Sequence, residues 1–392
     1  DHRPWARLQI LAYLDGPLDT DGHQPLVKRL FRRAQSQGDL ELVAAFLVAF
    51  DRLVTHVRRV RKNGDIRLSA LRNVIPSFRR KRVSDNGWHD HRRKAPLPHK
   101  ARLYSYRTRY YLRRRAWRVI RERARQQPNQ YLAAATAVLM RYTDRDLASG
   151  ERVLDRWGLL QIAYRHAPEL SFGAGRVTLR AGRRMATLAP APTFPAVWQS
   201  PAAADLLLRL TAEAQSHLVR YWASQMLRLH HASWLYTLAP QFWLPWLEHE
   251  HAHVRQLAIE SLQSSNDLQA WSLDDCLALQ ETRHLAARQF VRKQIEARVA
   301  SAEIGVADAL VLACAVQPSL AEAGWRRLQA YREQSRLSDA QIATLSGVRC
   351  RRLAAAIAGW ALEQLSRADA ELALPFFQSP VAEVRRAACA WW

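Results

Sequence analysis

A short pattern recurs six times in the C-terminal half and limits how that half can fold. It is an apolar residue, usually followed by Arg, then a small residue four positions on and an apolar residue four beyond that. It reads Val219-Arg220, Ala223, Leu227, and again Val254-Arg255, Ala258, Leu262. Weaker copies are Thr282-Arg283, Ala286, Phe290, then Leu320-Ala321, Gly324, Leu328, and Cys350-Arg351, Ala354, Ala358. The last is Val384-Arg385, Ala388, Trp392. First positions lie 35, 28, 38, 30 and 34 residues apart. Offsets of four place the apolar and small residues on one helical face. The small residue admits a neighbouring helix closely, and Arg falls just off the face. The pattern predicts stacked antiparallel helix pairs with Ala223, Ala258 and Ala388 buried at helix contacts.

This pattern resembles the second helix of HEAT-like repeats, over roughly residues 200–392. The fullest copy runs Trp246-Leu247-Glu248-His249-Glu250-His251-Ala252-His253-Val254-Arg255. A short first helix ends there in a polar turn before the Val-Arg helix. Pro375-Phe376-Phe377-Gln378-Ser379-Pro380, leading to Val384-Arg385, has the same layout. The spacing is shorter than the ~40–47 residues usual for HEAT repeats. The resemblance implies an α-α superhelix, a HEAT-like solenoid, whose extended surfaces bind partners.

The N-terminal half also reads as helices. Pro25 precedes Leu26, Val27, Leu30 and Phe31 as a first-turn proline; Gly38 separates that helix from one over Leu40 to Val54. A third is expected from Tyr104 to Gln127, a fourth from Pro128 to Tyr142, and a fifth from Gly150 to His166. Residues 168–201 hold Phe172-Gly173-Ala174-Gly175, alternating Val177-Thr178-Leu179 and several prolines. They predict a small β-hairpin and a Pro-rich linker. The expected organisation is a basic helical module at 1–167, this insertion at 168–201, and the repeat array at 202–392, in a mainly α fold.

Charge is concentrated. Residues 51–126 hold 25 Lys+Arg against five acids, a net +20 of the chain's +24. So local a field attracts polyanions. Arg107, Arg109, Arg113, Arg114, Arg115, Arg118 and Arg121 crowd one predicted helix; Arg92 and Arg93 sit in a loop expected at 80–100. Trp88, Tyr104, Tyr106, Tyr110, Tyr111 and Trp117 are interleaved with them. Arginine makes bidentate phosphate contacts, and Trp or Tyr faces stack on unpaired bases. The candidate nucleic-acid contacts are therefore these nine arginines with Tyr106 and Trp88. Positions 107, 111, 114, 118 and 121 form one stripe.

Catalytic and metal signals are weak by comparison. His249, His251 and His253 alternate with Glu248 and Glu250, but the repeat already calls for a polar turn there, and no metal is expected. His89-Asp90-His91 lacks further ligands. Gly173-Ala174-Gly175 lacks the third glycine of a dinucleotide loop. No cofactor is implied. Cys276, Cys314, Cys350 and Cys389 are single and far apart, which fits a reducing compartment such as the cytoplasm. The apolar runs Leu42 to Phe50 and Leu353 to Leu362 are about half the ~20 residues that span a bilayer, so no membrane partner is expected. The start at Asp1 and the stop at Trp391-Trp392 read as a piece of a longer chain, whose other domains are then further partners.

The expected function is a non-enzymatic scaffold holding nucleic acid through residues 51–126. One alternative is a DNA-repair enzyme, since HEAT-like repeats also form alkylation-repair glycosylases; the Trp, Tyr and carboxylate such a site needs do not assemble from this sequence. The other is a protein–protein adaptor whose basic segment meets an acidic protein surface.

Overall fold

A computed structural model describes residues 4–18, 22–60, 66–71, 106–173, 176–265, 271–300, 304–334, 337–365 and 370–392. Most of the described residues are helical and the strands form two short antiparallel hairpins, so the fold class is mainly α. No described helix is long and apolar enough to cross a membrane. The chain forms two compact units, 1–232 and 233–392.

The first unit is built around a helix that is apolar on every side. Its elements begin with α1 (Pro4–Asp15), α2 (His23–Ser36) and α3 (Leu40–Arg52), then β1 (His56–Val60) and β2 (Ile66–Leu71). They continue with α4 (Tyr106–Gln126), α5 (Pro128–Met140), α6 (Gly150–Asp155) and α7 (Trp157–Ala163). Every residue from Val43 to Asp51 in α3 is buried, because α1, α2, α4, α5 and α7 all pack on it. A helix apolar all round belongs in the middle of its unit. Asp39 caps α3 by accepting from Leu42 N at 3.0 Å and also holds Arg7 at 2.5 and 2.9 Å. Phe31 of α2 sits 5.2 Å from Phe46 and 5.1 Å from Phe50.

Beyond α7 come β3 (Leu170–Phe172) and β4 (Val177–Leu179), paired as the expected hairpin, then α8 (Pro195–Trp198), α9 (Pro201–Glu213) and α10 (His217–His230). The Pro-rich stretch is extended and is sewn to the end of α7. His166 N donates to Ala191 O, Ala191 N to Ala163 O, and Thr193 N to Ile162 O, at 2.9–3.1 Å. Trp198 is buried edge-on against Trp222 at 5.1 Å. The pair α9–α10, which carries the first copy of the repeated pattern, is part of this unit, and α11 (Ala232–Leu235) lies at the division.

Two sequence expectations for this unit are corrected. The single helix expected from Gly150 to His166 is two, α6 and α7, broken at Arg156, whose ψ is 74°. The Arg156 side chain turns inward to carbonyls at the end of α3, a demand made by the tertiary fold. The module at 1–167, expected to be helical, also holds the β1–β2 hairpin at the start of the basic segment. Asn63-Gly64, a hairpin-turn dipeptide between the two strands, was the available signal.

The second unit consists of helix pairs. They are α12 (Pro240–Leu247) with α13 (Ala252–Gln263), α14 (Leu273–Gln280) with α15 (Leu285–Ala300), and α16 (Val306–Ala313) with α17 (Pro318–Glu333). Then come α18 (Asp339–Ala343), continued by a 3-10 turn, with α19 (Arg351–Gln364), and α20 (Ala370–Phe377) with α21 (Ala382–Trp391). First helices stack on first helices, as α12 on α14 on α16, and second on second, as α17 on α19 on α21. Ala223, Ala258 and Ala388 are fully buried, as predicted.

Two copies of the pattern begin before their helix, and one of them also misses the buried face. Ala286 is exposed, and Ala287, Val291 and Ile295 are buried instead. Thr282 lies in the turn before α15, and Cys350 is the N-cap of α19. The third residue of each second helix gives Val219, Val254, Ala287, Leu320, Leu353 and Val384, now 35, 33, 33, 33 and 31 residues apart. The large apolar position of the last copy, Trp392, is 78% exposed and touches Phe377 edge-on.

The pattern's arginine also has a structural task. Arg220 donates to Ala214 O, Arg255 to His249 O at 2.6 Å, and Arg385 to Ser379 O at 2.6 Å. Each reaches back six residues and ties the turn of its own helix pair. At the small position of α17, Gly324 brings α16 so close that a Cβ would collide with Ala313 N and stand 2.7 Å from Ala309 O. Alanine is a better helix former by ~1 kcal/mol. Here overpacking opposes that gain, so Gly324→Ala should lower stability by ~1–3 kcal/mol in urea unfolding. A stabilised variant would refute the close approach.

Candidate nucleic-acid interface on the basic helix

The arginines of α4 divide into two sets by the face they occupy. Leu112, Ala116, Trp117, Ile120 and Ala124 are buried and fix the inner face. Arg109 and Arg113 share that face and are 1% and 0% exposed. Both were candidate phosphate ligands; this placement corrects that, because their guanidiniums are engaged inside the unit. A helix C-terminus leaves carbonyls without intrahelical partners and carries partial negative charge. The end of α3 is such a place. Arg109 donates to Leu53 O at 2.5 Å, and Arg156 to Asp51 O and Val54 O at 2.9 and 3.2 Å.

Arg113 completes the same cluster. Its Nη1 lies 3.2 Å from Asp51 Oδ1 and donates to Asp155 O at 3.2 Å. It packs over the rings of Tyr110 and Trp157. The fully buried Asp51 also accepts from Tyr142 Oη at 2.7 Å and Gly158 N at 2.6 Å. Burial pushes the Asp51 carboxyl up, while Arg113, Tyr142, Arg156 and Gly158 N pull it back down. Burial and the adjoining carboxylate push the Tyr142 phenol well up, so it stays a donor.

Alongside runs a chain of contacts that no sequence signal points to. Asp155 Oδ1 meets His56 Nδ1 at 2.7 Å, and His56 Nε2 meets Tyr110 Oη at 2.6 Å. Asp155 Oδ2 also accepts from His56 N at 2.9 Å, fixing the start of β1. The partners are 99 and 54 residues apart, so no local spacing announces them.

The outer face is different. Arg114, Arg118, Arg121 and Arg125 are exposed, with Tyr111 half-exposed beside them. At 100° per residue these five fall within an arc of about 80°. Among the described residues none of the four arginines forms an ion pair. Glu122 is the one acid on the helix. Arg115, on the flank, donates to Tyr111 Oη at 3.1 Å and lies over the Phe31 ring at 6.0 Å. Tyr106 and Arg107 open α4, where only the backbone is described. Trp88, Arg92, Arg93, the loop at 80–100 and His89-Asp90-His91 lie outside the described residues. In the second unit the rings of His249, His251 and His253 follow one another at 5.3 and 5.9 Å. No three His, Cys, Asp or Glu side chains among the described residues converge as metal ligands.

The two arginine sets predict opposite mutational behaviour. Arg113→Met leaves Asp51 buried without its cation and should cost ~3–5 kcal/mol. Asp51→Asn with Arg113→Met should cost less than the two single changes added together, as a double-mutant cycle by urea unfolding will measure. Arg118→Ser should stay within ~0.5 kcal/mol of the parent. Strict additivity at 51 and 113 would refute the coupling.

Compared with known proteins, the chain matches no protein-family model, no curated protein and no solved structure.

Proposed function

We propose that this protein is a non-enzymatic helical-repeat scaffold that binds nucleic acid, chiefly through phosphates, by the arginine-rich segment at 51–126. One observation supports this most: Arg114, Arg118, Arg121 and Arg125 align on the outer face of α4 without acidic partners. Arginines that serve the fold, such as Arg109, Arg113 and Arg156, are buried on carbonyls or on Asp51. The outer four are exposed, and of these Arg114 alone donates to a carbonyl, Tyr110 O one turn back at 3.2 Å, among the described residues. A row of like charges repels itself, and a row of phosphates relieves that repulsion while releasing counterions. The repeat pairs of the second unit supply an extended helical surface for further partners.

Titration of labelled 20-base-pair duplex and of single-stranded DNA and RNA between 50 and 200 mM salt tests this. Four phosphate contacts would weaken duplex binding ~100-fold over that range, with a log–log slope of about −0.9 per contact. Changing Arg114, Arg118, Arg121 and Arg125 together to Ser should flatten the slope and weaken unrelated sequences equally. Should no nucleic acid bind more tightly than ~10⁻⁴ M, the nucleic-acid reading fails. Should polyglutamate bind as tightly as duplex, an acidic protein is the partner instead.

A further inference from the structure

Outside 51–126, helix α2 carries a second set of outward arginines, and the fold brings it beside α4. Val27, Phe31 and Ala34 form its buried face, whereas Arg29, Arg32 and Arg33 are exposed on the opposite side. There is no acid anywhere in His23–Ser36. Asp39 and Glu41, which follow α2, are both taken by Arg7, at 2.5 and 2.6 Å. Among the described residues Arg29, Arg32 and Arg33 form no ion pair. The negative end of the helix dipole accounts for one cation in the last turn, Arg33. It does not account for Arg29 and Arg32.

One contact joins α2 to α4: the Arg115 guanidinium lies 6.0 Å over the Phe31 ring. Just past the end of α2, a Cβ at Gly38 would stand 3.9 Å from Arg123 Nη2 of α4. Both helices pack on α3, so the two ridges share one rigid support. Among the described rings of the basic segment Trp117 is buried and Tyr110 is held by His56, while Tyr111 stays half-exposed beside the outer arginines. Two arginine ridges on one support suit a stiff ligand that presents two rows of phosphates.

We propose that α2 is a second phosphate-contacting ridge and that the α2–α4 surface takes the backbone of duplex nucleic acid, independently of base sequence. This rests on the nucleic-acid reading above and extends it to residues that the charge of 51–126 does not include.

The test compares the full chain with two triple variants, one with Arg29, Arg32 and Arg33 changed to Ser, the other with Arg283, Arg327 and Arg352 of the second unit changed to Ser. Both lose three exposed charges. Circular dichroism and melting temperatures establish that each is folded. The probes are a 20-base-pair duplex and its separate strands, titrated from 50 to 500 mM salt.

The α2 variant should lose duplex affinity by roughly eightfold per lost contact at 0.1 M salt, with its slope reduced by about 0.9 per contact. The control should stay within about threefold of the parent, and single strands should bind more weakly than duplex. If the parent binds duplex and the α2 variant matches it, the second ridge is refuted while the α4 reading stands. Equal losses in both variants would mean that bulk charge, not this surface, sets affinity. Preference for single strands would overturn the duplex assignment. If the parent binds no nucleic acid, the underlying reading falls, and this proposal with it.

Discussion

The Asp51 carboxylate, closed off from water at the end of α3, is the point on which the first unit depends. A buried charge is costly unless partners surround it, and here they come from three directions: Arg113 on α4, Tyr142 after α5, and the Gly158 amide at the start of α7. Arg109 and Arg156 meet the neighbouring carbonyls, so segments far apart in sequence converge on the last turn of one helix. Gly158 carries no Cβ because one would lie 3.0 Å from both Asp51 Oδ2 and Leu47 Cγ. A helix whose middle has no polar face needs its one fully buried charge held in this way.

That requirement divides the positive charge. Part of what looks in sequence like a uniform basic field is structural, spent on an anion and on carbonyl oxygens within the unit. On α4 the rest of the positive charge lies away from the core face. Only the second part is available to an outside ligand.

Much of the fold was legible in the sequence because it rests on local periodicity. Offsets of four found α10, α13, α17 and α21, Pro128 marked the first turn of α5, and alternation at Val177–Leu179 marked β4. The candidate site was half legible. Arg114, Arg118 and Arg121 follow from helical spacing, but the same spacing cannot say which side of α4 faces inward. Arg109 and Arg113 were missed as core residues because their acceptors sit 56 and 62 positions earlier. The break at Arg156 and the His56–Tyr110 contact are likewise set by distant partners. At Thr282 and Cys350 the pattern begins before the helix does; Ala286 is then exposed, whereas Ala354 and Ala358 of the other copy stay buried.

The arginine that reaches back six residues fixes how the array can change in length. In the second unit the turn within a pair spans four residues in α12–α13, α14–α15, α16–α17 and α20–α21 alike. The links from one pair to the next vary, nine residues between α13 and α14 but five between α15 and α16. One residue inserted into a clamped turn moves the carbonyl away from the guanidinium and rotates the following helix off its apolar face; one inserted into a link disturbs neither. Tolerance to insertion and deletion is therefore low inside the clamped pairs α12–α13 and α20–α21 and high in the links between pairs, and the array can lengthen by whole pairs without retuning those already present.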